Sequence, residues 1–347
     1  MPDAPASPVT DAIPAGTLAI YNLQKPFVEP MLRVCRLANT ALDFLFYDVG
    51  VLTASLLAKG ETVSTGASAN ASSARHPLDS LDLSAQTNPS GCVIVVDANL
   101  APYVTPPFLD MKQFLAYAAE HQDIGLHTLA ITGVGSSAYG SVAFAWDCSL
   151  ALGEPVAAIV PGYGLADVVP QALGGWFGFE MHDALQTATQ DFLARYAPGL
   201  ALIGKDLARS TPKHGKAATG VPVFLHGSAA SDDVHAILEG VPGITRLIGH
   251  SKGALAIENA LRSLPDERTK QLSVLTFGCV IAEELARKCY CQYLGWVDAL
   301  GLLNSSGHQP EVRPFTQHST NTYLPLSMHI TDLVRSAMAP TAPTSHS

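Results

Sequence analysis

From Cys92 onward the apolar residues gather into short continuous runs rather than alternating with polar ones. The runs are Cys92 to Asp97 (CVIVVD), Thr128 to Thr132 (TLAIT), Val156 to Val160 (VAAIV), Val221 to Leu225 (VPVFL), Thr245 to Gly249 (TRLIG) and Leu272 to Phe277 (LSVLTF). Unbroken apolar runs of this length fit strands covered on both faces. Helix-compatible stretches lie at Leu109 to His121, Ala138 to Leu152, Gly253 to Leu264 and Ala282 to Leu294. Strands alternating with helices predict an α/β domain with a mostly parallel, doubly wound sheet. A last strand is predicted at Val312 to Thr316, followed by a final helix.

The rest of the chain divides by composition. Residues 1–24 read as a flexible N-terminus, and Lys25 to Lys59 as an apolar helical segment interrupted at Asp43, Asp48 and Gly50. Packing of this segment against the main domain is preferred to docking on a lipid surface, because it carries acids and lacks a basic face. Residues 60–91, rich in Ser, Ala, Thr, Asn and Pro, read as a linker with too little apolar area to offset ordering. The α/β domain then spans 92–338, with a helical cap or insertion at 162–219 and a flexible tail at 339–347. The cap interval holds Trp176, Phe177 and Phe179 and a helix-compatible stretch from Met181 to Tyr196.

Charge narrows the partners. Lys plus Arg number 20 against 30 Asp plus Glu, a formal net charge of −10, which excludes the basic stripe a nucleic-acid partner requires. No uncharged run of eighteen apolar residues predicts a spanning helix. The N-terminus has no basic region of the kind that opens a signal peptide. The cysteines (Cys35, Cys92, Cys148, Cys279, Cys289 and Cys291) show no metal-ligand spacing and fit reduced thiols, so a cytoplasmic location is expected. No metal or organic cofactor is implied.

The chemistry centres on Arg246 to Ala256 (RLIGHSKGALA), where Gly249, Ser251 and Gly253 satisfy G-x-S-x-G between a strand and a helix. That order places a nucleophile on a sharp strand-to-helix turn, with glycines where strand and helix approach closely. The following helix N-terminus directs N–H groups towards a developing oxyanion. The stretch LIGHSKGALA and the following strand VLTFG (Val274 to Gly278) resemble the class-3-like lipase branch of bacterial α/β-hydrolases. The resemblance covers about the last hundred residues. Lys252 and a single Gly253 stand where that branch has a small residue and a glycine pair, and Cys279 to Ala282 replaces its Pro-Arg-Val-Gly run. It implies the α/β-hydrolase fold and a serine nucleophile, without specifying a substrate.

Chain order in such hydrolases runs Ser, acid, His. The base is therefore sought among His308, His318, His329 and His346, and His318 is preferred because it follows the predicted last strand. His308 and His329 stay open, with His329 reading as a partly buried structural residue. Asp298 is the preferred acid, and a helix cap is its competing role; Glu283 and Glu284 read as solvent-facing helix-start acids, and Asp332 falls after the histidine. The Lys252 N–H is one expected oxyanion donor. The second is placed in the glycine-rich turn at Gly133 to Ser137, at Gly135 or Ser136, ahead of the rival His226-Gly227-Ser228. That turn lacks the G-K-[S/T] of a phosphate loop. Trp176, Phe177 and His250 are candidate substrate contacts. The reading is an esterase or lipase acting on a small or polymeric ester, an aliphatic polyester being one version. Its alternatives are an acyltransferase using the same triad and a non-catalytic scaffold.

Overall fold

The computed structural model describes residues 15–66, 83–133, 135–163, 192, 196, 229–262, 264–282, 284–286, 288–305 and 307–339. Two N-terminal helices, α1 (Ala15–Phe46) and α2 (Val49–Gly66), precede a short α3 (Leu83–Thr87). The main domain then runs β1 (Cys92–Val96), α4 (Met111–Glu120), β2 (Thr128–Ile131), α5 (Ala138–Leu152) and β3 (Val156–Val160). After residues outside the description come α6 (Ala229–Gly240), β4 (Arg246–His250), α7 (Lys252–Leu261), α8 (Asp266–Thr269), β5 (Ser273–Phe277), β6 (Cys289–Tyr293), α9 (Ala299–Asn304) and α10 (Ile330–Met338).

The six strands form one sheet in the order β1-β3-β2-β4-β5-β6. All neighbouring pairs are parallel except β1 with β3, so the predicted mostly parallel α/β sheet carries one antiparallel edge. Alternation within the strands sends Ile94, Val96, Ala130, Ile248 and Leu275 to one face, against α2, α5 and α10. Val93, Val95, Leu129, Ile131, Leu247 and Val274 face α4, α6 and α7. Two apolar layers around one sheet explain why these strands read as continuous apolar runs.

From β2 the chain crosses to β3 on one side, then returns to β4 on the other. The carboxyl ends of β2 and β4 therefore flank the reversal of strand order, the crevice where ligands sit in open α/β sheets. The turn after β2 and the G-x-S-x-G turn after β4 both open there.

Several expectations are corrected. The predicted helix Ala282 to Leu294 contains β6 instead, whose Tyr290 faces one core while Cys291 and Tyr293 face the other. A period of two fits CYCQY better than a helical one, and pairing with β5 settles it. Val312 to Thr316 is not a full strand: Val312 makes an isolated bridge to Tyr293, and Pro314 has no N–H to extend the ladder. The 60–91 linker is shortened at both ends, because α2 continues to Gly66 and α3 buries Ala85 and Gln86. Helix α1 already begins at Ala15, inside the predicted flexible N-terminus, and passes through Pro26 and Pro30. The strand at Val221 to Leu225 and nearly all of the cap interval, Trp176 and Phe177 included, lie outside the described residues.

Helix α1 packs against α3 and α5, as expected of a segment that docks on the domain. It buries Leu32 together with polar Arg36, Asn39 and Asp43, while Leu23, Phe27 and Val34 are exposed. Among the described residues no single helix is long and apolar enough to cross a membrane; Asn22–Phe46 and Val49–Lys59, bent by 89°, pass that test only as a pair.

Candidate active site

Ser251 sits between β4 and α7 with φ 54° and ψ −135°, a conformation that non-glycine residues rarely adopt. The flanking glycines make the turn possible. A Cβ on Gly249 would lie 2.9 Å from the Ala254 backbone, and one on Gly253 would strike the carbonyl oxygens of Ile131 and Thr132. The Ser251 N–H donates to the Phe277 carbonyl at 2.8 Å, tying the turn to the end of β5.

The Ser251 Oγ lies 3.0 Å from His318 Nε2, and His318 Nδ1 lies 2.9 and 3.1 Å from the two oxygens of Asp298. An ionised carboxylate only accepts, so Nδ1 carries the imidazole proton and Nε2 is left to accept from the serine hydroxyl. Asp298 is fully buried and caps α9, accepting from the Gly301 N–H at 2.6 Å. The two roles weighed for Asp298, cap and histidine partner, are thus filled by one carboxylate. Gly278 in the TFG strand end has φ +66°, and a Cβ there would lie 2.9 Å from the His318 ring and 3.2 Å from Asp298 Oδ2. A glycine is required at that approach.

The other histidines are elsewhere. His308 is exposed in the loop after α9. His329 is exposed at the N-cap of α10, 3.8 Å from Asp332, and not partly buried as expected. His346 and Glu283 lie outside the described residues. Glu284 is exposed as predicted, but it accepts from Gln292 Nε2 in a non-helical segment.

The expected oxyanion residues are placed less simply. Lys252 opens α7 directly after Ser251 and is itself buried, with 8% exposure. In the turn after β2, Gly133 faces Ser251: a Cβ on it would lie 3.4 Å from Ser251 Cβ. A Cβ on Gly135 would instead meet Asn39 and Tyr163. The Ser136 N–H donates to the Gly133 carbonyl at 3.2 Å, and its hydroxyl donates to Tyr47 at 3.4 Å. The Ser136 N–H is thus committed within the turn, and Gly133 is the glycine of the turn that lies against Ser251.

His250 is corrected as well. Only 1% exposed, it engages Tyr47 Oη through Nδ1 and the His318 carbonyl through Nε2, leaving no ring nitrogen for a substrate.

Three contributors carried no local signal in the sequence. Asn304, buried on α9, donates from Nδ2 to Ser251 Oγ at 3.3 Å, and its Oδ1 has no hydrogen-bond partner among the described residues. Tyr47 lies at the break between α1 and α2. Asp43 accepts from the Ser137 N–H at 2.8 Å, at the N-terminus of α5, and burial pushes its carboxyl up to about 7 against the opposing bonds from Ser137. Both Tyr47 and Asp43 are more than eighty residues from their partners, beyond the reach of any periodicity. Among the described residues no group of three or more His, Cys, Asp or Glu side chains is gathered as metal ligands would be.

The fold and site define an α/β protein with a mostly parallel sheet and a buried Ser-His-Asp constellation at its topological switch point. Comparisons with protein-family models, curated proteins and solved structures found no match.

Proposed function

We propose that this chain is a serine hydrolase of the α/β-hydrolase kind that cleaves carboxylic esters. The observation that carries the reading is the unbroken line Ser251 Oγ–His318 Nε2 (3.0 Å) and His318 Nδ1–Asp298 (2.9 Å), built on a strained turn after a central strand. Ser251 attacks the ester carbonyl as His318 takes its proton, forming a tetrahedral oxyanion. His318 then returns that proton to the leaving alcohol, and an acyl group remains on Ser251. Water, deprotonated by the same histidine, attacks the acyl group and regenerates the free serine. Asp298 holds the imidazole in the required tautomer and stabilises it while charged. The Lys252 N–H at the start of α7 and the Asn304 side-chain amide are the proposed donors to the oxyanion.

The substrate class proposed is an acyl ester or aliphatic polyester, in keeping with an apolar chain of 48% hydrophobic residues. The non-catalytic alternative would gain ground if no histidine lay within hydrogen-bond reach of Ser251, and His318 Nε2 at 3.0 Å gives it no such support.

The test is hydrolysis of p-nitrophenyl esters of graded chain length, together with covalent labelling by a fluorophosphonate, for the wild type and Ser251→Ala. Turnover and labelling that both vanish in the variant are expected. A wild type that neither turns over nor labels, or a variant as active as the wild type, refutes the proposal. Product analysis with added alcohols separates hydrolysis from acyl transfer.

A further inference from the structure

His250, the residue before the nucleophile, has both ring nitrogens committed. Its Nε2 lies 3.0 Å from the carbonyl oxygen of His318, and a carbonyl can only accept. Nε2 therefore carries the ring proton. In a neutral imidazole Nδ1 must then accept, and the Tyr47 hydroxyl, 3.0 Å away, donates to it. The Tyr47 oxygen in turn accepts from the Gly133 N–H at 3.2 Å and from the Ser136 hydroxyl at 3.4 Å. Reversing the polarity would set the Nε2 lone pair against a carbonyl oxygen, so the line runs one way only. Burial, with the neighbouring His318 ring, holds the His250 imidazole neutral by pushing its pKa down to about 3. Burial likewise keeps the Tyr47 hydroxyl protonated.

The two ends of this line each reach a group beside Ser251. One end is the backbone of His318 itself. The other is Gly133, whose α-carbon faces Ser251. The corner that carries Tyr47 also grips the strand of chain after His318. The Ser319 hydroxyl donates to the Leu45 carbonyl at 2.7 Å, the Thr320 N–H to the Phe46 carbonyl at 2.8 Å, and the Thr322 N–H to Asp48 at 2.7 Å. The Phe46 ring stands edge-on to the His318 ring at 5.9 Å.

We propose that Tyr47 and His250 form a one-way hydrogen-bonded positioning relay, by which the N-terminal helical corner sets the His318 loop and the Gly133 turn relative to Ser251. The relay rests on the serine-hydrolase reading for its catalytic effect, though its geometry stands apart from it. Neither residue touches a reacting atom; both act by placing groups that do.

Tyr47→Phe removes one oxygen and keeps the ring against Phe144 and His250, at 6.1 and 5.3 Å between centroids. Because an active site displaced by 1 Å loses about 10²-fold, kcat is expected to fall roughly 10- to 100-fold with KM little changed. Fluorophosphonate labelling of Ser251 should slow by the same factor. His250→Gln, which keeps a donor for the His318 carbonyl, should retain more activity than His250→Leu. Adding Tyr47→Phe to His250→Leu should cost little more than His250→Leu alone. Tyr293→Phe, which removes a hydroxyl bonded at 3.3 Å to the Leu333 carbonyl away from the site, controls for the loss of a buried hydroxyl. A Tyr47→Phe variant with unchanged kcat and labelling, losses that add in full, or an equal loss in Tyr293→Phe would each overturn the relay.

Histidine ¹⁵N NMR supplies a readout independent of turnover. The wild type should show His250 neutral and protonated at Nε2 at about pH 5, as a pKa near 3 requires. The opposite tautomer overturns the relay even in an active enzyme. If the wild type neither turns over nor labels, the hydrolase reading fails while the relay is still decided. Shifted His318 and Gly133 amide resonances in Tyr47→Phe support it, and unchanged ones refute it.

Discussion

Asp298→Asn separates the two duties of one buried carboxylate. In the folded chain Oδ1 accepts from the Gly301 N–H at 2.6 Å and lies 2.9 Å from His318 Nδ1. An asparagine keeps an oxygen for Gly301, so the cap on α9 survives. Its NH₂ takes the place of Oδ2, 3.1 Å from His318 Nδ1, donor against donor, and only the Oδ1 already shared with Gly301 is left to accept from that ring nitrogen. The imidazole escapes by shifting its proton to Nε2, where it can no longer accept from Ser251. Loss of the correct tautomer in a triad lowers kcat by roughly 10³- to 10⁴-fold, or about 4 to 5.5 kcal/mol of transition-state stabilisation. Stability should fall by under about 1 kcal/mol, since the cap is retained. Asp298→Ala should lose similar activity but also remove the cap and leave the Gly301 N–H unsatisfied, a cost of about 2 to 4 kcal/mol. Ester turnover and urea unfolding, measured on both variants, distinguish the two duties. An Asp298→Asn variant within tenfold of wild-type kcat, or one as unstable as Asp298→Ala, would refute this account.

Two further outcomes follow from the site. Ser251 holds φ 54° only because the turn demands it; Ser251→Gly should therefore unfold at higher urea than Ser251→Ala, by about 1 kcal/mol, and an order reversed between them would show that the turn is unstrained. Asp43 titrates near 7 in the folded chain against an ordinary carboxylate value of 3.8, so between those values the folded state holds the extra proton. Its contribution to stability is present at low pH and lost as pH rises from about 4 to 7. Asp43→Asn should thus gain on the wild type between about pH 4 and pH 7, by up to a few kcal/mol, and gain no more above that. A constant difference in urea midpoint across that range would show that the carboxyl is not held protonated.

The strands were legible where both faces of the sheet are covered, because such strands must be apolar throughout. Val156–Val160 matches its predicted run, and Cys92–Val96 differs by one residue. Legibility failed at the far edge. Cys289–Tyr293 has exposed and half-buried residues at its start, and its strand character depends on β5 beside it. The 60–91 linker was drawn too wide at its start for a related reason: Ser, Thr and Gly have weak local preference, and α2 is held by the packing of Leu52 and Leu56 further up the same helix. Asp298 and His318 could be ranked by chain order, yet nothing local distinguished a cap from a triad acid.

The alternation of strands and helices and the G-x-S-x-G turn could be read from the chain alone, because both follow from short-range constraints: apolar periodicity and glycines where a Cβ cannot fit. Only the tertiary structure decided which histidine faces Ser251, that Gly133 rather than Gly135 lies against it, and that Asn304 and Tyr47 belong to the site. Those choices depend on hydrogen-bond polarity between side chains brought from 53 to 203 residues apart. Such separations leave no period in the sequence, and the geometry exists only once the sheet has set its carboxyl edge and the N-terminal corner has closed against it.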